Sequence, residues 1–140
     1  MRTPLLLIFA IGIIAAVVSS CQSESEMLYN RYYTSGSLLY RTHCENCHGV
    51  NGEGLSALIP SLHDSVYLKK NLSKLPCFIK NGLGDPIVVD GKIYNSKMPA
   101  QGNLSAIEVA EILTYVTNSF GNKMGTVKSE DVALSLKDCK

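Results

Sequence analysis

The chain has no block of Lys or Arg. Its 13 basic and 12 acidic side chains are interspersed, for a net charge of +1. A nucleic-acid role therefore has no electrostatic footing. There is no internal repeat and no low-complexity tract. No acid–base or nucleophilic constellation stands out. Asp64, Asp85 and Asp90 sit where turns and loops need them, and none of the tyrosines pairs with a base. The βαβ context of a thioredoxin-like site is missing. Cys77 and Cys139 are too scattered to complete a zinc site. The longest apolar run, Leu5 to Val18, is fourteen residues, too short for a comfortable membrane span.

That run, preceded by Arg2, has the form of a signal-peptide h-region, and residues 1–20 read as a leader rather than as part of the fold. It ends in Val18-Ser19-Ser20-Cys21. Small residues before a Cys resemble a lipobox, in which Cys21 is lipidated and becomes the first mature residue. Cleavage near Ser20 without lipid, or an uncleaved anchor, are the alternatives. All three export the rest of the chain. The expected location is a bacterial membrane, held by lipid and facing the periplasm or the cell exterior. Residues 21–33 read as the lipidated Cys and a flexible tether, because Gln22 to Glu26 is polar, acidic and aperiodic. The remaining length suits one domain.

What is present is concentrated in Cys44-Glu45-Asn46-Cys47-His48. This is C-x-x-C-H, the attachment signature for c-type haem. Five Cys and three His placed at random in 140 residues give the pattern about 0.004 times. Each thiol can add to one vinyl group of a porphyrin, and the adjacent imidazole can become the iron's proximal ligand. The motif occurs once, which points to one haem c and excludes a dihaem peroxidase.

What fills the iron's other axial position decides between electron transfer and ligand binding. The candidates are His43, His63, Met27, Met98 and Met124. Met98 is selected because Pro99 restricts it to extended conformations, so a stiff loop can present the thioether. His43 directly precedes Cys44 and lies on the wrong side. His63 can in principle reach the iron, against a solvent-facing or propionate-bonding role.

The spacing predicts a helix from about Ser35 to Cys44, then a permissive loop at Gly49, Gly52 and Gly54. Leu58-Ile59-Pro60 comes next, with apolar side chains available to cover a haem edge. Short helices are expected over 62–70 and 75–80, the latter closed by Asn81-Gly82. Ile87 to Val89 and Lys92 to Tyr94 flank Asp90-Gly91, a hairpin signal. Ser105 and Glu108 form a capping box for an amphipathic helix reaching Phe120. Residues 122–140 read as an extended tail over the domain, with one turn near Asp131. Cys77 and Cys139 are either bridged, pinning that tail, or two separate thiols.

Gly36 and Tyr40 in a first helix, Cys44-x-x-Cys47-His48-Gly49, Gly52, Gly54, Ile59-Pro60, Met98-Pro99 and a last amphipathic helix together resemble a class I, monohaem cytochrome c in a bacterial lipoprotein form. The resemblance covers Thr34 to Gly121, and the domain is placed at 34–121. It implies an all-α fold of several helices wrapped around one covalent haem, with His48 and Met98 as axial ligands. It implies a crossing of the first and last helices near Gly36, with Tyr115 or Phe120 contributing. It also implies that the Pro60 carbonyl accepts a hydrogen bond from His48. The hairpin and the tail depart from the pattern.

The expected function is single-electron transfer between redox proteins by a monomeric, membrane-tethered domain that is not itself an enzyme. A dedicated electron-entry subunit of a dehydrogenase, reductase or oxidase complex is the alternative, favoured by any exposed apolar patch around the hairpin. A haem-based ligand sensor is the third reading.

Overall fold

A computed structural model describes residues 23–139; the leader and Cys21 lie outside the described residues. The first described helix, α1 (Glu24–His43), starts where the Ser23 side chain accepts from the Glu26 amide. Its first turn carries Glu24 and Glu26 and its last turn Arg41 and His43, matching the helix dipole at both ends. Tyr32, Gly36 and Tyr40 are buried at a spacing of four, on one face. A single turn, α2 (Glu45–His48), follows at once. α3 (Ser65–Lys70) is capped by Asp64, which accepts from the Val66 and Tyr67 amides. α4 (Leu75–Asn81) has Pro76 in its first turn and ends at Gly82.

β1 (Ile87–Val89) and β2 (Lys92–Tyr94) pair antiparallel, with Val88 opposite Ile93. Asp90 and Gly91 both take positive φ, as the tight turn requires. Val89 and Tyr94 turn inward. Asp64 also accepts from the Asp90 amide (3.1 Å), tying the hairpin to the start of α3. α5 (Ala106–Val116) has the capping box of Ser105 and Glu108. α6 (Ser129–Lys137) is the last helix among the described residues. The fold is thus predominantly helical with one two-stranded sheet. No helix among the described residues is long and apolar enough to cross a membrane.

The core is the crossing of α1 and α5. At Gly36 a Cβ would run into the Glu111 carbonyl oxygen and touch the Tyr115 Cβ. Only glycine lets the two backbones approach this closely. Tyr115 packs against Tyr40 and Tyr33, and Phe120 against Tyr40 and Tyr115. Val109, Ala110, Ile112 and Leu113 fill the space beneath.

Three sequence expectations are corrected. The tether assigned to 21–33 is helical from Glu24, so the first helix begins about eleven residues before Ser35. Ser23 caps it, and Leu28 and Tyr32 bury against the core. Residues 122–140 are not simply an extended tail. Ser129–Lys137 is a helix because Val132 is buried at 1% exposure and the Tyr32 hydroxyl donates to Ser129 Oγ (3.2 Å). The amphipathic helix stops at Val116, four residues before Phe120, whose positive φ turns the chain back.

Candidate functional site

Cys44, Cys47 and His48 are gathered by one helical turn. The Cys47 and His48 amides both donate to the Cys44 carbonyl (3.1 and 2.9 Å), and the Cys44 amide to Tyr40 (2.8 Å). Positions i, i+3 and i+4 share a helix face. All three residues line one deep, almost wholly apolar cavity. Gly49 then leaves the helix with positive φ, and the buried Tyr40 hydroxyl donates to its carbonyl (2.6 Å).

The glycine loop shapes the back of this turn. The Gly54 amide donates to the His48 carbonyl (2.8 Å) and the Leu62 amide to Gly52 (2.8 Å). A Cβ on Gly54 would collide with the Ile59 and Pro60 backbone, so glycine is what lets residues 59–60 come close. Pro60 thereby brings its carbonyl 3.2 Å from His48 Nδ1. A carbonyl only accepts, so Nδ1 carries the hydrogen and Nε2 is left with its lone pair. Burial pushes His48 below the ordinary imidazole range, with the Pro60 bond opposing. The ring is therefore neutral near pH 7, the form that ligates metal.

Cys44 and Cys47 are not bridged to each other. Burial, with Cys47 adding to it, pushes the Cys44 thiol up to about 12. A redox C-x-x-C site works the other way, by lowering a cysteine's pKa.

Met98 lines the same cavity. Its backbone is held on both sides by Leu83, whose amide donates to the Met98 carbonyl (3.0 Å) and whose carbonyl accepts from the Met98 amide (2.9 Å). Gly82, at positive φ, leaves room for the Met98 carbonyl against the end of α4. The Gln101 amide donates to Ile79 (2.9 Å). Leu83 and Gly82 were not identified as site residues from sequence. Asn81-Gly82 reads as a helix stop, but a two-residue backbone pairing between distant segments leaves no periodic trace. Tyr67 was likewise missed; it lines the cavity, and burial raises its hydroxyl pKa.

Of the remaining axial candidates only His43 lines the cavity. His63 is exposed, bonded through Nε2 to the Asn51 carbonyl (2.7 Å), and does not line the cavity. His43, expected on the wrong side, lines the cavity, with Nδ1 3.1 Å from Gln101 Oε1. Met27 is more than half exposed and Met124 packs on the core outside the cavity. Of Leu58, Ile59 and Pro60, only Pro60 lines the cavity. Cys77 and Cys139 are joined in a disulfide that ties α4 to the end of α6, with Cα atoms 5.4 Å apart.

Two thiols and a neutral imidazole on one turn, a thioether elsewhere on the lining and apolar walls between them form a donor set that fits a covalently held haem. A family model described as cytochrome c oxidase, cbb3-type, subunit III matches residues 32–116, more than half of the chain. The match runs from the buried Tyr32 in α1 to the end of α5 and leaves α6 outside. No curated protein matches the chain.

Proposed function

The chain belongs to the cytochrome c oxidase, cbb3-type, subunit III family, a family of c-type cytochrome domains, and from that premise we propose that it carries single electrons on one covalent haem c. Cys44 and Cys47 would form the thioether links, His48 and Met98 would ligate the iron, and Pro60 would orient His48. The observation that carries this reading is that these five residues line one apolar cavity. When bound, the haem supplies an iron that gains or loses one electron. The protein's own part is to hold the surroundings still. Pro60 fixes the imidazole plane and its tautomer. Leu83 holds the Met98 peptide by two hydrogen bonds. Apolar walls such as Leu68, Phe78, Ile112 and Val116 keep water from the centre.

The test is the visible spectrum of the reduced fragment Gln22 to Lys140, matured with haem, before and after carbon monoxide. An unchanged spectrum is expected, because Met98 closes the sixth position. A prompt shift would move the ligand-sensor reading to first place.

A lipid on Cys21 would hold the domain by the first turn of α1, which begins only three residues later. The attachment turn then stands at the far end of a helix about 30 Å long, not on a loose tether. A fixed place in an oxidase complex is a second reading. The family's description favours it, as does the hairpin's outer face, where the paired Val88 and Ile93 are 57% and 65% exposed. One fractionation separates these. Membranes from cells making the full chain or Cys21→Ser are solubilised and run on a native gel stained for haem. Loss of the Cys21→Ser protein from membranes is expected, and a wild-type protein whose intact mass shows no lipid on Cys21 would sink the lipid anchor. Migration at the size of an oxidase assembly supports a fixed subunit; migration alone supports a free carrier.

A further inference from the structure

The Met98 segment is suspended from α4, a short helix that depends on its packing, with Leu75 and Ile79 in the core, to keep its place. It has seven residues and no side-chain cap at Lys74. Helices this short do not hold their place in water without tertiary support. Its inner residues Phe78 and Ile79 line the cavity. Its far end carries the Met98 loop: Leu83 bonds Met98 twice, Ile79 accepts from Gln101, and Lys80 Nζ donates to the Gly102 and Leu104 carbonyls (both 2.6 Å). Any shift of α4 is therefore passed to Met98.

The other side of α4 is tied down by the C-terminal extension. Cys77 is bonded to Cys139, just past α6. α6 in turn is seated by Val132 in the core and by the Tyr32–Ser129 hydrogen bond to α1. All of α6 lies beyond the stretch that the family model matches. We propose that α6 and the Cys77–Cys139 bridge are a brace that holds α4, and through it Met98, in the position that closes the iron's sixth site. Cys77 and Cys139 are positioning residues in this scheme. Neither lines the cavity. The inference rests on Met98 being the sixth ligand.

The Cys77→Ser/Cys139→Ser variant, matured with haem and kept ferrous, tests it with two readouts. Amide hydrogen exchange is expected to speed up roughly tenfold or more at Leu83, Met98 and Gln101, while Val109 and Ile112 change by less than about twofold. Carbon monoxide is expected to bind promptly where the wild type resists it. Losing a cross-link also frees the unfolded chain. Equal acceleration at every amide would show only that general loss and would overturn the proposal. Local loosening with no carbon monoxide binding would overturn it too. If the variant does not mature, the bridge of the folded wild-type holoprotein is cleaved with a phosphine and the thiols alkylated, and the same two readouts decide. Met98→Ala is the control. If its spectrum equals the wild type's, the axial assignment fails. The exchange pattern then judges the brace alone, with loosening confined to Leu83, Met98 and Gln101 supporting it and uniform acceleration overturning it.

Discussion

Replacing both Cys44 and Cys47 by Ala is expected to leave a chain from which denaturation and solvent extraction remove all haem, where the parent keeps it. Each single variant should retain at most one thioether link and mature poorly. The reasoning starts from geometry. The two thiols lie one turn apart, Cys44 as the N-cap of α2 and Cys47 within it, and line the cavity beside His48. Burial pushes the Cys44 thiol up to about 12, the opposite of the lowered pKa of a redox C-x-x-C cysteine. The double variant should also lose stability, because the thioether links keep the haem beside its cavity at a high effective concentration that haem free in solution does not match. Extraction followed by absorbance of the protein and solvent phases measures the first effect, and thermal melts the second. Haem that survives denaturation in the double variant would defeat the reading of α2 as an attachment turn.

The parts of this molecule that were legible in the sequence are those whose physics is local. C-x-x-C-H needs only one helical turn to bring its three side chains to one face. Asp90-Gly91 between β-prone triplets forms its own turn, and Ser105 with Glu108 caps α5 without help from afar. The parts that stayed hidden depend on distant partners. Residues 24–33 look like a tether because Glu24, Ser25 and Glu26 are polar, yet Tyr33 is held by Tyr115 and by Ser119 Oγ (2.9 Å). Residues 129–137 carry few apolar positions, and Val132 counts only because α5 offers it a buried seat. The two stretches support each other through Tyr32 and Ser129, 97 positions apart. A reading that scans windows cannot see that pairing. The same holds within the site: Met98 was found from its own Pro99, but Leu83, which holds it, has no motif at all.

Met98→Ala is expected to leave the haem attached, since Cys44, Cys47 and His48 are untouched, and to open the sixth position. A thioether favours ferrous over ferric iron and raises the potential. Removing it should lower the midpoint on the order of 0.1 V or more, within the roughly 0.8 V that axial ligands command. Met98 is half-buried and packs against the core, so truncation also costs packing, about 2 kcal/mol at the low end of the range for such changes. A fall in potential could then be blamed on a loosened cavity. Met98→Leu separates the two effects. It keeps nearly the same volume and should cost less than about 1.5 kcal/mol, but it removes the sulfur. If ligation matters, Met98→Leu and Met98→Ala should bind carbon monoxide alike and show similar low potentials, while their melting temperatures differ. If packing matters, Met98→Leu should behave as the parent in both potential and spectrum. The Leu83 bridge uses only backbone atoms of Met98, so neither variant disturbs how the loop is hung, and the comparison isolates the sulfur. A parent-like spectrum in both variants would mean that Met98 does not reach the iron, and the closed six-coordinate centre on which the carrier reading depends would have to be built from another residue.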